Sequence, residues 1–162
     1  MRFVTAIDLL EEIDQGSLSL PRFQRSFVWK RPDIKEFIDS AYRDYPVGAL
    51  ATWESDKLSD GPPGERGEPR QGRFVYLLDG QQRLTSIYGV IRGSLPPFSS
   101  VTDNLMAGLL FHVKERKFAY DGSKEVREQS DGLWVEVSRL FQQGGMEEQR
   151  TRIEQDPSNH WC

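Results

Sequence analysis

Apolar and polar residues alternate along the chain with two periods, one typical of strands and one typical of helices. The clearest change from the first period to the second lies near the middle of the chain. Residues 74–78 are a run of apolar and aromatic side chains with the length and content of a buried strand, and Asp79 ends the run. The apolar residues that follow have the spacing of one helical face: Leu84, Ile87, Tyr88 and Ile91. Gly93 is a typical helix end. The pattern predicts a strand, a tight turn and a helix.

Upstream, the pattern predicts a helix followed by a short strand. Thr5, with Asp8 three residues later, can cap a helix that ends at Gly16. Residues 17–20 then alternate between polar and apolar side chains, as a short strand does.

A second helix and strand are predicted before the central unit. Pro32 suits a first helical turn, and the apolar face of that helix extends over residues 34–45. Residues 48–53 have the composition of a strand. From residue 54 to residue 73 the chain is polar and rich in Gly and Pro, which predicts a long loop, flexible over residues 55–73.

The C-terminal part is predicted to be a hairpin, a strand and helices. Residues 109–113 and 117–120 form the two arms of the hairpin, and residues 133–137 form one more strand that leads into a helix near 138–141. The tail beyond residue 145 is charged and helix-prone, with few apolar positions. The predicted organisation is therefore an α+β domain over residues 1–145, with a small mixed sheet flanked by helices. Residues 146–162 are taken as the start of a truncated C-terminal helical extension.

The turn at residues 79–83 is the first candidate for chemistry. A helix that begins directly after a strand collects unpaired backbone N–H groups and the positive end of its dipole, a combination that binds phosphate. Gly80 permits a close approach to the backbone, and Arg83 adds forked donors. Asp79 suits a cation or an attacking water. The structural alternative is that Asp79 caps the helix and that Gln81 and Gln82 are solvated first-turn residues.

The second candidate is the segment of residues 21–29, where arginines and aromatic residues are interleaved without a helical period. Arg22 and Arg25 could hold phosphates while neighbouring rings stack on a base. No acidic residue occurs from 15 to 32. The structural alternative is that the aromatic rings belong to the core and the arginines extend to the surface.

Composition narrows the possible classes of protein. The 162 residues carry a formal charge of -4, so any nucleic acid must be bound by a local patch. Cys162 is the single cysteine, and with only His112 and His160 besides it a zinc site is disfavoured. No apolar run is long enough to span a membrane and no secretory signal opens the chain, so we expect a cytoplasmic protein.

Two segments together resemble the N-terminal domain of GmrSD-type restriction endonucleases, which belong to type IV and act on modified DNA. Residues 20–29 (LPRFQRSFVW) match that family's I-P-x-x-Q-R-x-[YF]-x-W segment, and residues 79–85 (DGQQRLT) match its D-G-Q-Q-R-x-T segment. Residues 45–48 are also similar. The resemblance implies a compact fold like that of ParB and sulfiredoxin, and nucleoside-triphosphate binding and hydrolysis coupled to DNA cleavage in phage defence.

The resemblance also implies site residues. Gln24 and Arg25 match the first motif, and Asp79, Gly80, Gln81, Gln82, Arg83 and Thr85 match the second. With Arg22, which comes from the arginine-aromatic segment alone, the residues expected to bind phosphate are Arg22, Gln24, Arg25, Gly80, Gln81, Arg83 and Thr85, and the catalytic residues are Asp79, Gln82 and Arg83. Our working hypothesis is that Asp79 organises Mg²⁺ or the attacking water and that Gln81 or Gln82 orients that water. The expected cofactors are Mg²⁺ and GTP, ATP, CTP or UTP.

The chain also departs from the family. It has no His-Asn-His nuclease motif, so the cutting module is expected elsewhere in the same or another chain, and no cysteine occurs in 79–86 for sulfiredoxin chemistry. The rival hypothesis is a non-catalytic module that binds nucleotide or a DNA phosphate and gates a partner nuclease or closes a homodimer. A third hypothesis, that this fold itself nicks DNA, is disfavoured by the net acidity and by the lack of a metal-binding carboxylate cluster.

Overall fold

The structure is a computed structural model, which describes residues 5–21, 24–57, 71–99 and 102–156. The α+β prediction is confirmed. The helices are α1 Ala6–Asp14, α2 Arg31–Tyr42, α3 Gln81–Arg92, α4 Lys124–Glu128, α5 Val137–Leu140 and α6 Gly145–Gln155. The strands are β1 Leu18–Ser19, β2 Ala51–Lys57, β3 Gln71–Asp79, β4 Leu109–His112, β5 Lys117–Tyr120 and β6 Trp134–Glu136.

The strands are divided between two three-stranded sheets. The first has the order β1-β3-β2, with β1 parallel and β2 antiparallel to the central β3. The second has the order β5-β4-β6 and is antiparallel, and it contains the predicted hairpin and the predicted strand after it. The first sheet is mixed, as expected, and its central strand leads directly into α3.

The first two helices begin with side chains that cap backbone N–H groups, and the capping residues lie within three positions of each other in the sequence. The Thr5 hydroxyl accepts a hydrogen bond from the Asp8 N–H while the Asp8 carboxylate accepts from the Thr5 N–H, which confirms the predicted capping box. The Asp33 carboxylate likewise accepts from the Lys30 N–H at 2.8 Å at the start of α2. This second helix ends at Tyr42, three residues earlier than its apolar pattern predicted.

The predicted long loop over residues 54–73 is wrong at both ends. Strand β2 continues through Lys57 and β3 already begins at Gln71, because the two form an antiparallel ladder. Ladder hydrogen bonds use main-chain groups, so a polar sequence can form a strand when a partner strand lies beside it. The segment between them, 58–70, lies outside the described residues.

Among the described residues, helix α3 contributes to two of three hydrophobic clusters. Leu84 and Tyr88 pack in the cluster beneath the first sheet, together with residues of α1 and β3. Val90 packs in the second cluster with Met106 and residues of α2 and the hairpin. Because both sides of α3 are held by packing, the position of its first turn is fixed relative to both sheets.

The C-terminal helix packs on this same chain. Ile153 of α6 is buried against Leu133 and Val135, and Arg152 donates to the Trp134 carbonyl at 2.8 Å. The predicted helix in the tail is therefore confirmed, and one side of it is anchored to β6. His160 and Cys162 lie outside the described residues.

Both nitrogens of buried His112 have partners within the fold. Its Nε2 lies 2.9 Å from the Asp131 carboxylate, and its Nδ1 accepts from the Glu115 N–H at 3.0 Å. In the four described ranges, no three His, Cys, Asp or Glu side chains are grouped as metal ligands. Over the same ranges, no helix has both the length and the apolarity needed to span a bilayer.

Candidate functional site

The first turn of α3 follows β3 through a single glycine. Gly80 has φ +92°, the left-handed conformation that glycine adopts readily, and no side chain caps the helix there. The first hydrogen bond of the helical ladder is from the Leu84 N–H to the Gly80 carbonyl, at 2.9 Å. The N–H groups of residues 81–83 therefore lie outside the ladder, at the positive end of the helix dipole.

Arg83 connects this turn to the loop between α2 and β2. Its Nη1 donates to the Val47 carbonyl at 2.9 Å, and its Nη2 lies 3.0 Å from the Asp79 carboxylate. A Cβ atom added to Gly48 would collide with Nη1, and one added to Gly80 would lie 3.2 Å from Nη2. Two glycines thus make the space that the guanidinium occupies.

Asp79 does not cap α3, so that structural alternative is wrong. Its carboxylate pairs with Arg83, and its side chain is 74% exposed whereas that of Arg83 is 20% exposed. One face of the ion pair is therefore open to solvent at the start of the helix.

Gln82 is buried and hydrogen-bonded to main-chain groups of the upstream segment. Its Oε1 accepts from the Val28 N–H at 2.8 Å and from the Trp29 N–H at 3.1 Å, and its Nε2 donates to the Ser26 carbonyl at 3.3 Å. The alternative that both glutamines are solvated is therefore wrong for this residue. The signal for these contacts is absent from the sequence, because all three partners are backbone atoms.

A second glutamine joins the same two segments, and this one lies on the upstream segment instead of on α3. The Gln24 amide donates to the Leu78 carbonyl at 2.8 Å, just before the turn. Gln24 and Gln82 together hold residues 24–29 against the β3–α3 junction. The two stretches that carry the family resemblance are thus adjacent in space.

The arginines and aromatic residues of the upstream segment separate in the structure. Phe27 and Trp29 pack partly buried against the second hydrophobic cluster, as the structural alternative expected. Arg25 is exposed, and no hydrogen bond or ion pair is recorded for it within the described residues. Arg22 lies outside the described residues. Arg25 follows Gln24, which contacts the end of β3, and it is the cation without a partner in the part of this segment that the structure describes.

Two side-chain polar atoms in the first two turns of α3 are buried without a hydrogen-bond partner among the described residues. They are the Oε1 of Gln81 and the hydroxyl of Thr85, one helical turn further along. Thr85 is 2% exposed, so it lies inside the fold, whereas Gln81 is only partly buried at the helix start. Buried polar atoms usually find a partner, so these two are unsatisfied groups at the start of α3.

The fold and the site define an α+β domain whose central helix begins directly after a strand, in a glycine turn supported by two glutamines and an Arg–Asp pair. The sequence matches the family described as "GmrSD restriction endonuclease, N-terminal domain" over residues 6–160, and the chain belongs to that family. A similar curated protein is the uncharacterized protein MJ0686 of Methanocaldococcus jannaschii, 34% identical over 59% of this chain. The matched region spans 18% of that relative's length.

Proposed function

We propose that the chain binds a nucleoside triphosphate by its phosphates at the start of α3 and hydrolyses it, as part of a restriction system that acts on modified DNA. The observation that carries the proposal is the group of backbone N–H donors at 81–83, outside the helical ladder and next to Gly80. Such donors bind phosphate oxygens well because the helix dipole adds a favourable field. Membership of the restriction-endonuclease family supports the same assignment.

Arg25 and Arg83 supply the positive charge. Arg25 has no recorded partner in the described chain, so it can bind phosphate without giving up another contact. Arg83 is held by Val47 and Asp79, and the remaining N–H groups of its guanidinium can donate to a phosphate while these bonds hold its plane in place. Fixed positive charge near the transferred phosphoryl group stabilises the charge that develops there.

Asp79 is the residue that would hold Mg²⁺. Magnesium commonly binds one or two protein carboxylates and takes its other ligands from phosphates and water, and the exposed carboxylate of Asp79 suits that arrangement. When bound, the metal would neutralise phosphate charge. The carboxylate also keeps Arg83 oriented, so its loss affects both groups.

The hydrogen bonds divide the remaining site residues by role. Gln24 and Gln82 act as positioning residues, because their amides are committed to backbone atoms. We assign the orientation of water to Gln81, because the Gln82 amide is committed to backbone atoms and Gln81 is only partly buried at the start of α3. Thr85 is buried and supports the first turns of α3 from within.

A second candidate function is a nucleotide-dependent switch without hydrolysis. The observation that favours it is the bond from Arg83 to Val47, which connects the turn to the loop that leads into β2. A phosphate that competes with Asp79 for the guanidinium would alter this connection. We propose further that a nuclease module in the same or another chain cuts the DNA, that this chain contacts DNA, and that it can form a homodimer.

The test is calorimetric titration of the chain with GTP, ATP, CTP and UTP in Mg²⁺, with phosphate release measured on the same samples. Arg25→Ala should weaken binding about tenfold or more, since a hydrogen bond to a charged group is worth about 1.5–3 kcal/mol. Lys114→Ala removes an exposed charge elsewhere and should bind normally. Arg83→Ala should also lose binding, but it releases the Val47 loop as well, so Arg25→Ala is the cleaner variant.

Phosphate release by the wild type assigns hydrolysis, and tight binding without release assigns the switch. Unchanged affinity in Arg25→Ala, or no binding by a folded wild type, would contradict the proposed phosphate site.

A further inference from the structure

A cleft of about 340 Å³ lies beside the proposed phosphate site. Among its lining residues are Trp29, Asp33, Glu36, Phe37, Ser40 and Val47. Two of these are also bonded to the turn: the N–H of Trp29 donates to Gln82, and the carbonyl of Val47 accepts from Arg83. The cleft is therefore continuous with the segments that support the start of α3, and its volume falls within the range of small-molecule sites.

Its walls combine an aromatic surface with acceptors. The rings of Trp29 and Phe37 meet edge to face with their centroids 5.3 Å apart, and both line the cleft. Asp33, Glu36 and Ser40 follow one another along α2 at spacings that place them on one face of that helix. An aromatic surface beside carboxylates suits a flat heterocycle that carries N–H donors on its edge.

The two carboxylates differ in how freely they can accept. The Asp33 carboxylate already accepts from the Lys30 N–H at 2.8 Å. Glu36 is exposed, and within the described residues no partner is recorded for its side chain. Glu36 is therefore the acceptor that a ligand in this cleft can use.

We propose that this cleft binds the base of the nucleotide and that Glu36 selects guanine. The N1–H and the 2-amino group of guanine are adjacent donors, and a carboxylate accepts from both at once. Adenine and cytosine offer one amino group beside an acceptor nitrogen, and uracil offers one N–H between two carbonyls. The acidic wall also repels the phosphates, which directs them toward α3. The inference rests on the proposed function, because it places the base of the same nucleotide.

The test compares four probes by titration: GTP, UTP, inorganic triphosphate and guanosine. Binding is followed by calorimetry and by the NMR signal of the Trp29 indole N–H, which is assigned with Trp29→Phe. The wild type should bind GTP about tenfold more tightly than UTP, the discrimination expected from one bidentate pair. Glu36→Gln should remove that preference and leave inorganic triphosphate binding unchanged. Glu11→Gln, an exposed glutamate of α1 with no recorded side-chain partner, is the matched control.

Each outcome separates the base cleft from the phosphate site. Equal affinity for GTP and UTP, or a GTP preference that survives Glu36→Gln, overturns the proposal that the cleft binds the base. Binding of inorganic triphosphate in the same experiment would still support the proposed phosphate site. Guanosine binding that shifts the Trp29 signal and is lost in Glu36→Gln supports the cleft even if inorganic triphosphate fails to bind. A basic peptide that shifts Trp29 while guanosine and GTP do not would assign the cleft to a protein partner and overturn the proposal.

Discussion

At the scale of single residues, the two glutamines explain why the segments around the turn are held together. Gln82 is buried and accepts from two part-buried backbone N–H groups near α3. Gln24 donates to a carbonyl at the end of β3. A side-chain amide can serve both kinds of backbone group, and its value lies chiefly in the cost of leaving those groups unpaired.

Gln82→Leu should therefore lower the free energy of unfolding by about 1–3 kcal/mol, because two part-buried N–H groups lose the acceptor that a buried side chain supplies. Gln81→Leu, on the same helical turn, removes an Oε1 that has no partner and should change the stability little. Urea denaturation of both variants measures the difference. Equal stabilities of the two variants would contradict the positioning role of Gln82.

Tyr88 contributes a pH-dependent term to stability. Burial, together with its hydrogen bond to Asp14 at 2.7 Å, raises the pKa of Tyr88 to about 12, above the ordinary 10.0. The unfolded chain loses this proton first, so the contribution is complete below pH 10 and is lost as the pH rises from 10 to about 12. Denaturation at pH 9 to 12 should thus show a steeper loss in the wild type than in Tyr88→Phe. Tyr45→Phe, at an exposed tyrosine, should keep the wild-type slope, and a wild-type slope in Tyr88→Phe would refute this assignment.

At the scale of elements, the start of α3 is coupled to the loop that precedes β2. Gly48 has φ +83° and faces the guanidinium of Arg83, which in turn holds Val47. The helix, the loop and the ion pair to Asp79 are therefore one connected unit. A change in this loop should reach the site without touching the segment of residues 79–85.

Gly48→Ala tests this coupling against a matched glycine. Gly122 has φ +73° with nothing within 4 Å of an added Cβ, so Gly122→Ala introduces backbone strain alone. Both changes should cost about 1–2 kcal/mol of stability from the left-handed conformation. Gly48→Ala should in addition displace Arg83 and weaken triphosphate binding, which calorimetry measures. Wild-type affinity for triphosphate in a folded Gly48→Ala variant would show that the loop and the site are not coupled.

At the scale of the whole molecule, local patterns predicted most of the architecture, and contacts between distant segments explain the rest. The Thr5 box, the β3–α3 unit and the C-terminal hairpin are encoded within a few residues each, and all three are present. The polar end of β2 was missed because its strand conformation depends on the ladder with β3. The division of strands into two sheets depends on the same kind of distant pairing.

The same distinction between local patterns and contacts of distant segments applies to the candidate site. The sequence identified both segments and the strand-turn-helix unit between β3 and α3, and the family match covers both segments. It did not identify the partners of Gln82 and Arg83, since these are backbone atoms of residues far along the chain. The commitment of Gln82 to backbone partners thus became visible only in three dimensions.

The most direct test of the central proposal observes the backbone of the turn itself. The ¹⁵N-labelled chain is titrated with inorganic triphosphate in Mg²⁺, and the amide signals of residues 81–83 are followed. The proposal predicts large, saturable shifts of these signals, reduced in Arg25→Ala and retained in Lys114→Ala. Saturable shifts elsewhere, with the signals of residues 81–83 unchanged, would contradict the assignment of the start of α3 as the phosphate site.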